Sequence, residues 1–541
     1  MQETITASKA RLNPWIITLM ALLPWAIIQF NTSVKDNVAW LSGCASRLMA
    51  GSDMLSVCYD TNPPLSIYLY APPLLLSRLT GIPDYYCIYL LTFALIALSA
   101  IAIWKILAHM SFLTADERTI FTAGALAGFT LLPALSFAER DHIMVLGLMP
   151  FLLTQFCLTK QISLPKKLLY PVLFLGALAI LIKPQFGLLP TILLLHRMAI
   201  RRKIFFILKE PDFIILAILT TLYTAFVFLA YPEFPFVLVP DAIEFYGEQS
   251  NYPLIMPTAV TYGPYFLIAS ILALSVRGRK KDNPKMDLLA QIFLGGAVCV
   301  FFYYLQKKGF FYHKIPIFPF FTAGTALGLY SLTEFTFRDQ ITPKTKKAMP
   351  AIACALIFLF AYAKQPPNAQ FPTHQDYKDA PLTQFIEQNC DHPCHLLFIN
   401  ENMGIGTQTM FYQNYTQASR LPAFWFFPSW NSQDTENMTD QQKQHHEDTH
   451  KRFARYAIED LEKTDPSLLM IMHNPPEIPK EYALDLFDFL SIDPGFAPFI
   501  QKYEKTGEFS TDRAYYYKNT PYDEPHNITW DIYKKKPKAT Q

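Results

Sequence analysis

The residues of this chain best able to do chemistry gather at the ends of long apolar runs. Ala138-Glu139-Arg140-Asp141-His142 places four ionisable side chains in a very short connection between two apolar stretches, Lys183-Pro184-Gln185 forms a second such turn, and Lys307, Lys308, His313 and Lys314 mark a third. Lys35-Asp36 follows the first apolar run, and Asp60 lies further along the same connection. Charge at membrane depth is costly, so charge collected at helix mouths calls for an explanation. Cations from three turns beside carboxylates from two loops would form a hollow suited to a lipid phosphate or pyrophosphate headgroup. Taken singly, each residue has a plainer account. Glu139 and Arg140 can pair in a solvated hairpin, Asp36 can cap the helix after it, Lys183 can snorkel to the interface, and His313 can sit as an interfacial ring beside Tyr312. Their joint placement favours a site.

The elements that must position these groups follow from composition. The chain has 541 residues, 51% hydrophobic and 15% aromatic, with 41 Pro against 20 Gly and a formal net charge of +2. That combination excludes a disordered, collagenous or strongly nucleic-acid-binding protein. Apolar residues concentrate before Ala363, and Lys364 to Gln541 reads as an ordinary polar domain. A bilayer core of about 30 Å needs about 20 mostly apolar residues in a helix. Eleven runs of that kind are expected, over Trp15–Phe30, Tyr85–Ile106, Ile120–Phe137, Ile143–Leu158, Leu168–Ile182, Phe186–Met198, Phe213–Tyr231, Tyr262–Val276, Leu288–Leu305, Ile315–Leu332 and Ala351–Ala363, the sixth and last being short.

Lys and Arg divide unevenly between alternate connections, 21 against eight, which puts the richer set in the cytoplasm. An odd number of crossings then puts the tail outside. Met1 to Asn13 is polar and no small-residue cleavage site follows the first run, so that run is expected to be a retained anchor. The first outer loop, Asn31 to Asp84, contains Val38, Leu41, Ala45, Leu48 and Met49 at helical spacing, which suggests an interfacial helix over Val38 to Met49. Pro63-Pro64 would stop the chain and open a second such segment, Leu65 to Leu79. Cys87, Cys157, Cys299 and Cys354 fall inside spans as small apolar groups. Cys44 with Cys58 and Cys390 with Cys394 are candidate disulfide pairs on the oxidising face, a metal at the second pair being the weaker reading.

In the tail, Pro381 to Gln388 reads as a helix and His395 to Ile399 as a buried strand. Ser467 to Met472, Ala514 to Tyr517 and Trp530 to Tyr533 read as further strands, and the charged stretch Gln441 to Lys463 as a second helix, giving a small α/β domain. Phe424, Trp425, Phe426, Phe427 and Trp430 form an aromatic loop suited to sugar faces or to an interface. His445, His446 and His450 fit a solvated helix better than a zinc site, since no His-Glu-x-x-His pattern is present. Four Asn-x-Ser/Thr tripeptides carry no weight, and no P-loop, dinucleotide fingerprint or solenoid repeat occurs.

A first outer loop that opens on an acidic residue, runs through an interfacial helix and reaches Pro63-Pro64-Leu65 resembles the GT-C superfamily of polyprenyl-phosphate-dependent glycosyltransferases. The acidic second outer turn, the external tail and the number of spans fit the same resemblance. Tyr312-His313-Lys314-Ile315-Pro316 and Arg420-Leu421-Pro422-Ala423-Phe424-Trp425 are similar to segments of bacterial members. The Glu-Arg-Asp-His cluster and the tail depart from the aminoarabinose and protein-mannosyl branches.

The resemblance implies an α-helical polytopic fold with a C-terminal periplasmic α/β domain, divided at residues 1–364 and 365–541. It implies an inner-membrane, inverting hexosyl or pentosyl transferase with a cytoplasmic N-terminus. Such an enzyme would carry sugar from a polyprenyl-phosphate donor to an envelope glycan, lipid or protein acceptor on the periplasmic face, in contact with membrane lipids and without nucleic acid. Asp36 would be the general base, with Glu139 or Asp141 orienting the acceptor or, together with Asp36, holding a divalent cation, Mg or Mn. Arg140, Lys183, His313, Lys307 and Lys308 would hold the donor phosphate, and Asp60, His142, Asp241 and Glu244 would be secondary contacts to the acceptor. A transporter or flippase of a lipid-linked substrate, and a non-catalytic envelope-assembly subunit, are the alternatives. Transporters place polar features near the midplane and often in paired halves, whereas the charges here gather at one edge.

Overall fold

A computed structural model describes residues 13–202, 205–246, 252–279, 283–337, 340, 342–365, 372–390, 394–400, 403–417, 419–424, 438–473, 485–512 and 527–537. Every apolar run becomes a helix, because a buried or lipid-facing backbone must satisfy its own hydrogen bonds. They are α1 Pro14–Asn31, α2 Asp84–Ala108, α3 Ala115–Thr130, α4 Arg140–Thr159, α5 Lys166–Ile182, α6 Leu188–Arg201, α7 Pro211–Ala230, α8 Tyr252–Arg279, α9 Pro284–Leu305, α10 Ile317–Thr336 and α11 Pro343–Ala363. Among the described residues eight helices are long and apolar enough to cross a membrane. The remaining three, α3, α5 and α6, have 16, 17 and 14 residues. At about 1.5 Å per residue, α6 rises only about 21 Å. The chain is a multipass membrane protein.

It separates into two compact units. The first comprises Met1–Phe30, Tyr89–Tyr223 and Asn251–Gln365. Its helices pack through glycines where backbones approach closely. A Cβ added to Gly147 of α4 would lie 2.4 Å from that of Ala179 on α5, and one added to Gly176 of α5 would lie 2.6 Å from Phe151 Cβ on α4. Gly124 and Gly128 of α3 meet the backbone of α10 at Ala323 and Pro319 in the same way. Small residues at such crossings let dispersion contacts hold helices together where lipid offers no hydrophobic driving force.

The second unit joins Asn31–Ile88 and Thr224–Ser250 to the tail, Pro366–Gln541. The helix expected over Val38 to Met49 spans Asp36–Met49, and its apolar residues Val38, Leu41, Ala45 and Leu48 are buried in the protein. The segment expected over Leu65 to Leu79 is two helices, Pro64–Tyr68 and Ala71–Thr80. Cys44 pairs with Cys58 and Cys390 with Cys394, and the four cysteines of the spans are free and buried.

The tail sheet has the order β2-β1-β3-β5-β4, where β1 is His395–Ile399, β2 Thr416–Gln417, β3 Leu468–His473, β4 Tyr503–Asp512 and β5 Asn527–Lys535. Strand β1 is parallel to β2 and β3, and β5 is antiparallel to β3 and β4. Strand β4 carried no apolar run to announce it: it is an edge strand whose side chains are mostly exposed. The expected strand at Ala514 to Tyr517 and the aromatic residues Trp425, Phe426, Phe427 and Trp430 lie outside the described residues. The two expected tail helices are Pro381–Asn389 and Asp440–Thr464, the latter opened by a capping box between Thr439 and Gln442.

Candidate functional site

The first unit assembles its charged cluster from three turns. The connection from α3 to α4 holds Ala134 and Ala138 in the left-handed region, φ 49° and 67°. For a non-glycine residue that conformation costs about 1 kcal/mol, so something must hold it. His142 does: its Nδ1 accepts the Ala138 N–H at 3.1 Å, and its Nε2 donates to the Phe129 carbonyl at 2.7 Å. Both ring nitrogens are thereby committed to backbone, and His142 is a positioning residue. His142→Ala is expected to cost about 2–4 kcal/mol in unfolding free energy, since it strips two buried backbone groups of their partners. Denaturant or thermal unfolding measures this; a loss below about 0.5 kcal/mol would remove His142 from that role.

Past the turn, Glu139 is the N-cap of α4, and Arg140, Asp141 and His142 form its first turn. All four are buried. The positive end of a helix favours carboxylates there, and the negative end of α5 favours the cation at its C-cap, Lys183. The glycine contacts between α4 and α5 draw those two ends together, and Lys183 Nζ lies 2.9 Å from Asp141 Oδ2. Burial pushes the Lys183 ammonium below its ordinary range, Asp141 opposing the shift and Arg140 adding to it.

The third turn, Phe311–Lys314, contributes Tyr312, whose ring centroid lies 6.0 Å from Arg140 Cζ and 5.5 Å from Lys183 Nζ. His313 is buried, its ring 4.3 Å from that of Tyr312, and Lys183, Arg140 and Lys308 are near enough to act on it electrostatically. Lys308 is buried too, and burial, with Lys307 beside it, brings its pKa down to about 8. Lys307 itself is exposed, with φ 57°. Tyr312, the aromatic platform under two cations, received no role from the sequence; the segment Tyr312-His313-Lys314 was its only signal.

Asp36 belongs to the second unit. It is the first helical residue after the N-cap Lys35, half-buried, and its Oδ1 accepts the Asn37 N–H at 2.8 Å. The preceding backbone is fixed on both sides: Val34 N–H donates to Tyr412 Oη at 2.7 Å, and Gln408 Nε2 donates to the Val34 carbonyl at 2.7 Å. Asp60 accepts from Trp40 Nε1 at 2.9 Å and from the Asn62 backbone N–H at 2.8 Å, so it braces the loop beside the Cys44–Cys58 bond. Asp241 is buried between the Tyr59 hydroxyl and Arg452 Nη2, the latter at 2.6 Å, and burial beside Asp241 raises the Tyr59 pKa. Glu244 meets His445 Nε2 at 3.0 Å. These contacts tie the 234–246 segment to the tail helix Asp440–Thr464, which no sequence pattern signalled. On that helix His450 also donates through Nε2 to the Phe489 carbonyl at 3.0 Å.

A divalent cation at Glu139 and Asp141 does not suit these surroundings. Both carboxylates there act on Lys183, Arg140 stands beside them, and Asp141 is already paired. A second group, His473, Glu508 and Asp531, brings three potential ligand atoms within 4.8 Å of one another on the tail sheet. Lys505 Nζ lies 2.9 Å from Asp531 and 3.1 Å from Glu508, so an ammonium already serves those carboxylates.

No family model and no curated protein matches the chain. A solved structure of ArnT from Cupriavidus metallidurans in the apo state is 12% identical, with a TM-score of 0.51 over 95% of this chain and 97% of that one. ArnT of the same organism bound to undecaprenyl phosphate is 11% identical over the same shares, TM-score 0.49. An oligosaccharyltransferase from Archaeoglobus fulgidus, in complex with Zn and sulfate, is 12% identical over 92% of this chain and 72% of that one, TM-score 0.42. The apo ArnT likeness, spanning nearly all of both chains, shows the fold: the chain is folded like that membrane protein, and its fold is similar to GT-C folds.

Proposed function

We propose that the chain is a membrane glycosyltransferase that takes a sugar from a polyprenyl-phosphate carrier and passes it to an envelope acceptor on the periplasmic face of the inner membrane. The observation that carries this reading is the buried cluster of the first unit, where Arg140, Lys183 and Lys308 outnumber Glu139 and Asp141 around the Tyr312 and His313 rings. An excess of positive charge held in a low-dielectric place seeks an anion, and a phosphate with several acceptor oxygens satisfies several donors at once. The undecaprenyl phosphate named with ArnT is an anion of that class. Both disulfides of the second unit accord with an oxidising compartment.

In the proposed reaction the acceptor hydroxyl gives its proton to Asp36 while its oxygen attacks C1 of the sugar. The C1–O bond to phosphate breaks, its electron pair leaves on the polyprenyl phosphate, and configuration at C1 inverts. Fixed cations stabilise charge that grows on the leaving phosphate, usually the largest catalytic contribution. No step calls on a metal ion.

Purified protein given a panel of radiolabelled polyprenyl-phosphate sugars is expected to release labelled acceptor product with one of them. Donor binding without turnover would instead favour a transporter or an assembly subunit. Lys308 adds a pH signature. A lysine with a lowered pKa is charged below that value and neutral above it, so donor KM should rise roughly tenfold as pH passes 8, matching the loss of a charge-assisted hydrogen bond of about 1.5 kcal/mol. Lys308→Arg keeps its charge throughout and should abolish that rise; an identical profile in the variant would exclude Lys308 from donor binding.

A further inference from the structure

Asp36 opens a helix that does not cap itself, since its N-cap is Lys35, which makes no side-chain cap hydrogen bond. Order at this helix entry comes instead from the tail, within the second unit. Thr32 pairs antiparallel with Thr373, and the Ser33 N–H donates to the Pro372 carbonyl at 2.8 Å. Val34 is then gripped by two side chains one turn apart on the tail helix Gly404–Gln413: Tyr412 Oη accepts its N–H and Gln408 Nε2 donates to its carbonyl, both at 2.7 Å. Each of these groups is itself held. Tyr377 Oη donates to Gln408 Oε1 at 2.8 Å, and Tyr412 Oη is hydrogen-bonded to His374 Nδ1 at 2.9 Å. Val34, His374, Tyr377, Gln408 and Tyr412 are all buried, and a buried network bonded in this way is rigid.

We infer that Tyr412 and Gln408 are positioning residues for the proposed glycosyl transfer: through the Val34 backbone they hold the Asp36 carboxylate where the acceptor hydroxyl gives up its proton. The inference rests on the reading of Asp36 as general base. A single residue separates Val34 from Asp36. Lys35 has φ −72° and ψ 155°, and its carbonyl accepts the Ala39 N–H at 2.9 Å, so fixing both peptide groups of Val34 fixes the Asp36 Cα. The Asn37 N–H on Oδ1 then fixes the carboxylate. Without the grip on Val34, Lys35 becomes a hinge. A base acts only within hydrogen-bond reach of the proton it takes, and a displacement of about 1 Å costs up to about 100-fold in rate.

The test measures turnover of the full chain with the radiolabelled polyprenyl-phosphate sugar that it accepts from the panel. Tyr412→Phe keeps the ring and removes only the hydroxyl; kcat should fall about 10- to 100-fold while donor KM stays within about twofold. The same substitution in an Asp36→Asn chain should cost nothing further, because there is no base left to misplace. A merely structural role would lower the rate by the same factor in both chains. Thermal unfolding is read beside each rate, and Gln408→Met, which releases the Val34 carbonyl, gives the same comparison should Tyr412→Phe fail to fold. Wild-type turnover by Asp36→Asn, or no turnover of any sugar, would overturn the reading of the reaction and this inference with it. A slow Asp36→Asn beside Tyr412→Phe and Gln408→Met at the wild-type rate, or an equal loss in both chains, would overturn the inference alone.

Discussion

Lys183→Met is expected to lower stability by about 3–5 kcal/mol and to weaken polyprenyl-phosphate binding by roughly 30-fold or more. The two losses have different origins. The first arises because Asp141, fully buried, is left without the ammonium 2.9 Å away. Restoring electrical balance by Asp141→Asn in the same chain should therefore recover most of the stability. It should not recover binding, because the cation that would face the phosphate is still missing. Equilibrium denaturation reads the first quantity and a binding titration the second. A double variant that regains both would show that Lys183 serves only the fold.

Asp36→Asn is expected to reduce kcat by about 10³ with donor KM unchanged, the scale of a lost general base. The substitution is conservative in structure. Asparagine keeps an oxygen able to accept the Asn37 N–H, and the entry of the helix is held independently through Val34 by Tyr412 and Gln408. A comparison with Asp60→Asn is informative, since Asp60 braces Trp40 and Asn62 and its loss should register first in stability. Turnover by Asp36→Asn at the wild-type rate would remove the proposed base.

The helices were legible because lipid imposes a length and an apolar composition that few other demands produce; all eleven runs recur as helices, with ends shifted by up to ten residues, as where Tyr262–Val276 is Tyr252–Arg279. The tail strands β1, β3 and β5 were legible as apolar runs, whereas β4, a mostly exposed edge, was not. The charged cluster was legible as a set of residues and illegible as a geometry. That Lys183 meets Asp141 depends on Gly147 and Gly176 letting two helices approach, a relation between positions nearly thirty residues apart that no local pattern encodes. His142, Asp60 and Asp241 carried the residue types of chemistry and turned out to be bonded into local structure. Sequence shows which polar groups sit at membrane depth; only the fold shows which of them are already bonded to their surroundings.

The grouping of the first loop with the tail was also beyond sequence reading, because it rests on single hydrogen bonds such as Tyr59 N–H to the Arg420 carbonyl at 2.7 Å. Arg420 in turn donates to Asp460, whose pKa burial raises to about 6 against the pull of that guanidinium. The Arg420-Leu421-Pro422 segment thus takes part in holding this unit together, a plain physical reason for its presence.

The most direct test of the central claim compares binding of a polyprenyl phosphate with that of the same polyprenol lacking phosphate, using the full chain in nanodiscs at low and high salt. Tight, salt-sensitive binding of the phosphate, weak binding of the alcohol, and collapse of the difference in Arg140→Gln and Lys183→Met are predicted. Equal affinity for the two lipids, unaffected by either substitution, would contradict the account.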